Sequence, residues 1–514
     1  MAVSAADRQR DALRLRERAE ARRVRCLAGL NDVDQAKFGQ FFTPEAAAAL
    51  IAALPRLPLS GRLRVLDPGA GTGALAAALA ARVLGECLEI DLEIVAVEID
   101  AAVAKALAET LADITQTFDR YGLRVTTGVV VGDFIDLSTG LLDRHPSVDE
   151  PFDIVIMNPP YRKLASSSAQ RKALLQQGVE CPNLYAAFLA LGTVALSSDG
   201  QLVAITPRSF ANGPYFAQFR RFMLDMVALD HIHIFESRST VFSETGVLQE
   251  NIIFAATRGR KGEDVVLTVS HGHKDPASVR VVPYSAVVNS GDVHRFIRIP
   301  AGDDDTTIAE LMTSMPASCS DLGVQVSTGR VVDFRSRTSL VPADRDRAVP
   351  LVYPGNLRSG VVEWPRDIRK AQGFLVTEPA DEKLLLPPGN YVLVKRFSAK
   401  EERRRVVAAV WLAEQSADPV AFENHVNVLH VRGAGLDLPL ALGLSYWLNS
   451  SVVDTYFRTF SGHTQVNAGD LRTLRFPSVA QLRALGADRS VLLPDQAELD
   501  AIVNKVVTAR GIAA

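Results

Sequence analysis

No uninterrupted apolar run in this sequence approaches the ~18 residues that a membrane-spanning helix needs, and the arginine-rich start "MAVSAADRQRDALRLRERAEARRVR" lacks the apolar centre of a secretory signal. Both absences lead to the expectation of a cytoplasmic chain with no membrane partner. Only four cysteines (Cys26, Cys87, Cys181, Cys319) occur in 514 residues, and none forms a CxxC pair, which argues against a disulfide framework or a thiolate zinc site; no metal is expected. A dominant charge is missing too: the net charge is -3, so the chain as a whole gives no sign of a polyanionic partner. There is no GxGxxG, and no Gly-Lys-Ser/Thr follows the glycine-rich turn, which argues against a dinucleotide or nucleoside triphosphate held through its phosphates. Repeats and low-complexity tracts are absent.

What is present is enough apolar material for a large core, on a chain long enough for two or three domains. Residues 5 to 29 have helical composition and are read as an N-terminal helical arm, residues 1 to 30. "TPEAAAALIAAL" predicts a helix start with Thr43 as cap, Pro44 in first position and Glu45 in the first turn. From there, apolar strands alternate with helical segments through "LRVLD", "EIVAVEID", "LRVTTGVVVGD", "FDIVIMNPPY", "GQLVAITPRSF", "HIHIFES" and "ENIIFAATRG". Seven strands alternating with helices predict an α/β fold with a largely parallel sheet covered on both faces. Beyond about residue 315 the pattern changes to short strands, turns and prolines, so the reading divides the chain into 31–315 and an α+β domain over 316–514.

Chemistry collects at the expected strand ends. The turn "DPGAGTG", Asp67 to Gly73, follows the first strand, where an open sheet has its ligand crevice and where glycine lets backbone approach a ligand. Asp67 can accept from a cationic or amino group. Glu98 ends the second strand near the ~20-residue offset at which an acid meets ribose hydroxyls. Asp133 with Phe134 offers an acceptor for an exocyclic amine and a ring for a purine face. One acid at a strand end is usually just solvated, but three at successive ends describe an adenosine without phosphates that carries a cation.

In this order, "VLDPGAGTGAL", "VAVEID", "GDFID" and "NPPY" resemble the motifs of class I S-adenosylmethionine-dependent methyltransferases, a Rossmann-like fold. With "GQFFTP" upstream and "SGHTQVNAGDLRTLRFP" near the end, the chain resembles the gamma-order N6-adenine DNA methyltransferases of restriction-modification systems, in size and layout the PstI/BsuBI type. The resemblance spans nearly the whole chain. It implies S-adenosylmethionine as cofactor, held by Gln40, Phe42, Thr43, Pro44, Asp67, Gly69, Ala70, Gly71, Glu98, Ile99, Asp133, Phe134 and Asn158. It also implies double-stranded DNA as substrate, a CTGCAG target, a separate cognate restriction endonuclease as partner, a monomeric state and a place in a bacterial or archaeal nucleoid.

An exocyclic adenine amine is a poor nucleophile because its lone pair is delocalised into the ring. The resemblance assigns the Asn158 side-chain oxygen and the Pro159 carbonyl as acceptors for its two hydrogens, Pro160 as the stiffener of the turn, and Tyr161 and Phe216 as rings that stack on the extruded base. Tyr215 rivals Phe216 for the second ring. Residues 391 to 410 hold six basic residues against two acids, and the first 25 residues hold eight arginines against four acids. Alone, such runs are solvated faces. Within a recognition domain, Lys395, Arg396 and Arg403 become candidates for phosphates, and His463, Thr464 and Gln465 for DNA contacts. Release-factor glutamine and ribosomal RNA methyltransferases share the NPPY-type turn but generally lack "GQFFTP" and a C-terminal domain of this size. A non-catalytic specificity subunit would not need Asp67, Glu98, Asp133 and Asn158 to Tyr161 intact.

Overall fold

The computed structural model describes residues 4–29, 42–141, 146–235, 250–273, 275–292, 294–302, 304–398, 402–461, 464–487 and 489–508. Gln40 and His463 lie outside the described residues. Contacts divide the chain into two compact units, Met1–Ala301 and Gly302–Ala514.

In the first unit, nine strands among the described residues form one sheet: β1 (Ser60–Pro68), β2 (Glu89–Glu98), β3 (Val125–Val131), β4 (Phe152–Met157), β5 (Leu196–Pro207), β6 (Val227–Phe235), β7 (Asn251–Arg258), β8 (Asp264–Ser270) and β9 (Ser278–Pro283). Their order is β3-β2-β1-β4-β5-β7-β6-β8-β9. Strands β1 to β5 run parallel, and β7 is antiparallel to both β5 and β6. The seven expected strands are therefore extended by a parallel β8 on β6 and an antiparallel β9 beyond it. Sequence patterning misses β9 because Val279 and Val281 face solvent at the sheet edge and only Val282 is buried, so no clean alternation marks it.

Helices cover both faces because β1, β2 and β4 are apolar on both sides. The helix Ala74–Gly85 is buried along most of its length. The N-terminal helix Ala5–Gly29 packs on it and on Ala101–Asp119, burying Ala12, Leu15 and Ala19. Its arginines are largely engaged within the unit: Arg18 and Arg22 pair with Asp113 at 2.7 and 2.8 Å, Arg8 with Glu89, Arg16 with Glu45, and Arg23 with Glu20. Among the described residues no helix is long and apolar enough to cross a membrane, and no group of His, Cys, Asp or Glu could hold a metal ion.

The second unit is α+β. Its six-stranded sheet has Tyr391–Lys395 antiparallel to both Ala408–Trp411 and Val426–His430, and a five-stranded sheet centres on Val349–Val352. Five helices follow among the described residues: Leu438–Leu448, Ser451–Phe460, the short Ala468–Arg472, Val479–Gly486 and Gln496–Thr508. The unit begins at Gly302 rather than near residue 316 because the helix Asp305–Ser314 packs against Ser451–Phe460.

Candidate active site

Strands β1 to β4 end side by side, and the order β3-β2-β1-β4 puts the reversal of strand order between β1 and β4, where an open sheet has its crevice. A cleft opens there. Phe42, Gly69, Gly71, Glu98, Ile99, Asp133, Phe134, Asn158 and Pro160 line it, with Arg162, Leu184 and Phe188 in addition. Residues up to 146 positions apart are thus gathered from six segments.

The turn after β1 is shaped by glycine. Gly71 has φ +56°, and a Cβ there would stand 2.8 Å from the Phe42 ring. Glu98 is anchored by backbone: Oε2 accepts from the Gly71 N–H at 2.8 Å and Oε1 from the Asp100 N–H at 2.9 Å. Burial raises its carboxyl, and those two amides pull it back. Asp133 caps the helix Phe134–Thr139, its Oδ1 accepting from Ile135 N–H at 2.8 Å, while Oδ2 accepts from the Gln170 side chain at 2.9 Å. Asp67 does not line the cleft and has no exposed surface; burial first, and the Glu98 charge second, push its carboxyl up to about 8.

At the other side of the cleft stands the Asn158 amide. Its Nδ2 donates to the Thr43 hydroxyl at 3.0 Å, and the Tyr161 hydroxyl donates to its Oδ1 at 3.3 Å. Thr43 is not a helix cap: the helix begins after Pro44, no side chain at the cap position bonds to it, and the Glu45 N–H goes instead to Glu20 Oε2 at 3.1 Å. The expected cap fails because a carboxylate from the N-terminal helix already fills that role. Pro159 is buried and Pro160 half-buried.

Behind Asn158 lies a set of rings. Tyr161 meets Tyr185 edge-on at 6.2 Å and 86°, and Tyr185 stacks on Phe216 at 5.6 Å and 22°. Phe216 is buried whereas Tyr215 is 81% exposed, so only Phe216 belongs to the set. Burial, then Tyr185, raises the Tyr161 phenol, which stays a neutral donor. Sequence reasoning missed Tyr185 and Phe188. Their three-residue spacing just after the Asn183 cap, which accepts from Ala186 N–H at 3.1 Å, puts both on one helix face and is the signal that could have found them.

The profile of the family described as Eco57I restriction-modification methylase matches residues 111–242. The type II methyltransferase M.BsuBI of Bacillus subtilis is 40% identical over 461 residues, 88% of this chain and 90% of its own length. M.PstI of Providencia stuartii, also a type II methyltransferase, is 37% identical over 93% of this chain and 94% of its own. This chain belongs to the type II methyltransferases of restriction-modification systems. A solved structure of the type IIL restriction-modification enzyme MmeI in complex with DNA superposes with a TM-score of 0.55 at 11% identity, over 88% of this chain and 71% of that one, and shares the fold.

As a member of the type II methyltransferases, the chain takes S-adenosylmethionine as its methyl donor. The residues of the cleft fit that group. Glu98 and Asp133 each keep a carboxylate lone pair open beyond the bonds described above, which suits ribose hydroxyls and an adenine amine. The rings of Phe134 and Phe188, 5.2 Å apart, give the apolar walls a purine needs.

In the methyltransferase's second unit, two candidate DNA-contacting stretches are neighbours: Ser398 N–H donates to Thr464 carbonyl at 3.0 Å and Val466 N–H to Arg396 carbonyl at 2.7 Å, with Phe397 opposite Gln465. Lys395 and Arg396 are half-buried, Arg403 and Thr464 exposed. Not every cation of the basic segment is free for phosphate. Arg405 is 1% exposed and donates to the Ser398 and Ser461 hydroxyls, both at 3.1 Å.

Proposed function

We propose that this DNA methyltransferase acts on N6 of an adenine extruded from a specific duplex sequence, CTGCAG or a close variant. The observation that carries the proposal is the Asn158 amide in the lining of the cleft, contacted on its nitrogen by Thr43 and on its oxygen by Tyr161. S-adenosylmethionine, when bound, supplies an electrophilic methyl on a sulfonium. The chain's own work is on the amine. Asn158 Oδ1 and the Pro159 carbonyl accept the two amine hydrogens and draw its lone pair out of conjugation with the ring. Pro160 keeps that turn stiff. Tyr161 and Phe216 offer ring faces to the extruded base, against an extrusion cost of a few kcal/mol. No covalent attachment to the chain is needed, and the surplus proton leaves to water.

The cofactor contacts proposed are Phe42, Gly69, Gly71, Ile99 and Phe134 around the adenosine, Glu98 and Asp133 as acceptors, and Gln40, Pro44, Asp67, Ala70 and Asn158 in support; Thr43, which the resemblance places with them, does not line the cleft and is given a different role below. Residues 316–514 serve target recognition, with Lys395, Arg396 and Arg403 on phosphates and His463, Thr464 and Gln465 near the bases. The enzyme acts as a monomer in a prokaryotic cytoplasm and protects DNA from an endonuclease on a separate chain. Family membership sets aside release-factor and ribosomal RNA substrates.

Incubation with labelled S-adenosylmethionine and duplexes with or without CTGCAG, followed by digestion to nucleosides, tests the reading. Label is expected in N6-methyladenine of the CTGCAG duplex. Label confined to N4-methylcytosine, RNA or protein would overturn it.

A further inference from the structure

An asparagine amide has an acceptor end and a donor end of nearly the same shape. If Asn158 is to accept from an amine, the wrong rotamer sets an NH2 group against the amine hydrogens. Something must fix the orientation before the base arrives. This inference rests on the reading of Asn158 as the amine acceptor.

Thr43 is placed for that task. Its side chain is buried, it does not line the cleft, and its hydroxyl receives the Asn158 Nδ2–H at 3.0 Å across 115 residues of sequence. The capping role that its sequence position suggests is taken by Glu20, whose Oε2 receives the Glu45 N–H. Glu20 is itself clamped by the buried Arg23 through two bonds of 2.8 and 2.7 Å. The hydroxyl is therefore released from the helix and turned toward the amide, while Tyr161 marks the opposite end of the same amide as the acceptor. We propose that Thr43 is a positioning residue for catalysis: its hydroxyl holds Asn158 Nδ2, so that Oδ1 faces the target amine.

The test separates this role from a cofactor contact. Thr43→Val keeps the shape and removes the acceptor; Thr43→Ser keeps the hydroxyl. For T43V, kcat at saturating S-adenosylmethionine and duplex should fall on the order of 10- to 100-fold, the cost of a misplaced reacting group. Calorimetric affinity for S-adenosylmethionine should stay unchanged, as should the fluorescence rise of a duplex with 2-aminopurine at the target base. T43S should restore kcat. A weakened cofactor affinity with kcat at saturation intact would make Thr43 a cofactor contact and overturn the proposal. So would a T43V of wild-type kcat, or equal losses in T43V and T43S. Thermal melting checks the fold, and if T43V does not fold, Thr43→Ala against T43S carries the same comparison. Label in N4-methylcytosine from the wild type would overturn the adenine reading alone, because cytosine N4 is also an exocyclic amine and the Thr43 test would stand.

Discussion

Phe42 lies against the backbone of Gly71, so close that a Cβ at Gly71 would be 2.8 Å from ring carbon Cδ1 and 3.0 Å from Cε1. The contact joins the segment before the first core helix to the turn after β1, and both line the cleft. Gly71→Ala should therefore cost about 1 to 2 kcal/mol for its left-handed backbone and also weaken S-adenosylmethionine binding. Gly122→Ala, at φ +68° with nothing within 4 Å, carries the backbone penalty alone. Calorimetry on the pair should show lost affinity only in G71A, and equal affinities would refute the contact's role.

Asn158→Asp gives a side chain with two equivalent oxygens and no orientation to set. T43V should cost turnover clearly less in the N158D background than in the wild type, a non-additivity read from the four kcat values. Equal factors in both backgrounds would mean that Thr43 acts by packing.

Asp67 supplies a pH test. Its carboxyl is raised from 3.8 to about 8, so between those values the folded chain holds a proton that the unfolded chain has lost. Its contribution to stability is greatest at low pH, falls as pH rises toward 8 and is level above. Asp67→Asn cannot ionise and removes that slope. Melting at roughly pH 5 and pH 8 should shift relative stability in the mutant's favour at the higher pH, and parallel behaviour of the two proteins would contradict the assignment.

Glu20→Ala removes the acceptor of the Glu45 N–H and two bonds to Arg23. Denaturant unfolding should show a loss of about 1 to 3 kcal/mol. Glu20→Gln, which keeps an acceptor, should recover part of it.

Arg403 and Arg405 are two residues apart and should behave oppositely. Arg403→Ala is expected to leave melting unchanged and to lower the salt slope of DNA binding by about 1. Arg405 sits 5.6 Å from the Phe457 ring centre and bonds two buried serines. Its replacement by Ala should cost about 3 kcal/mol of stability. A salt-slope change in R405A without destabilisation would place that residue at the DNA instead.

Local chemistry made much of the first unit legible. Strands that are apolar on both faces, a glycine turn and acids at strand ends are written in short windows, and their order alone implied a parallel sheet with a crevice at its carboxyl edge. Relations between distant segments were not legible, because side-chain partners depend on which surfaces meet. Patterning could not show that Glu20 would cap the helix after Pro44, that Thr43 would then turn to Asn158, or that Tyr185 would stack on Phe216. Nor could it separate Arg405, which is buried, from Arg403, which is exposed, since charge in a sequence carries no depth. The sequence by itself determined the fold class and the residue types at the site, through periodicity and backbone constraint. Only the tertiary structure decided that the Asn158 amide nitrogen meets the Thr43 hydroxyl, because that bond joins segments 115 residues apart that only packing brings together.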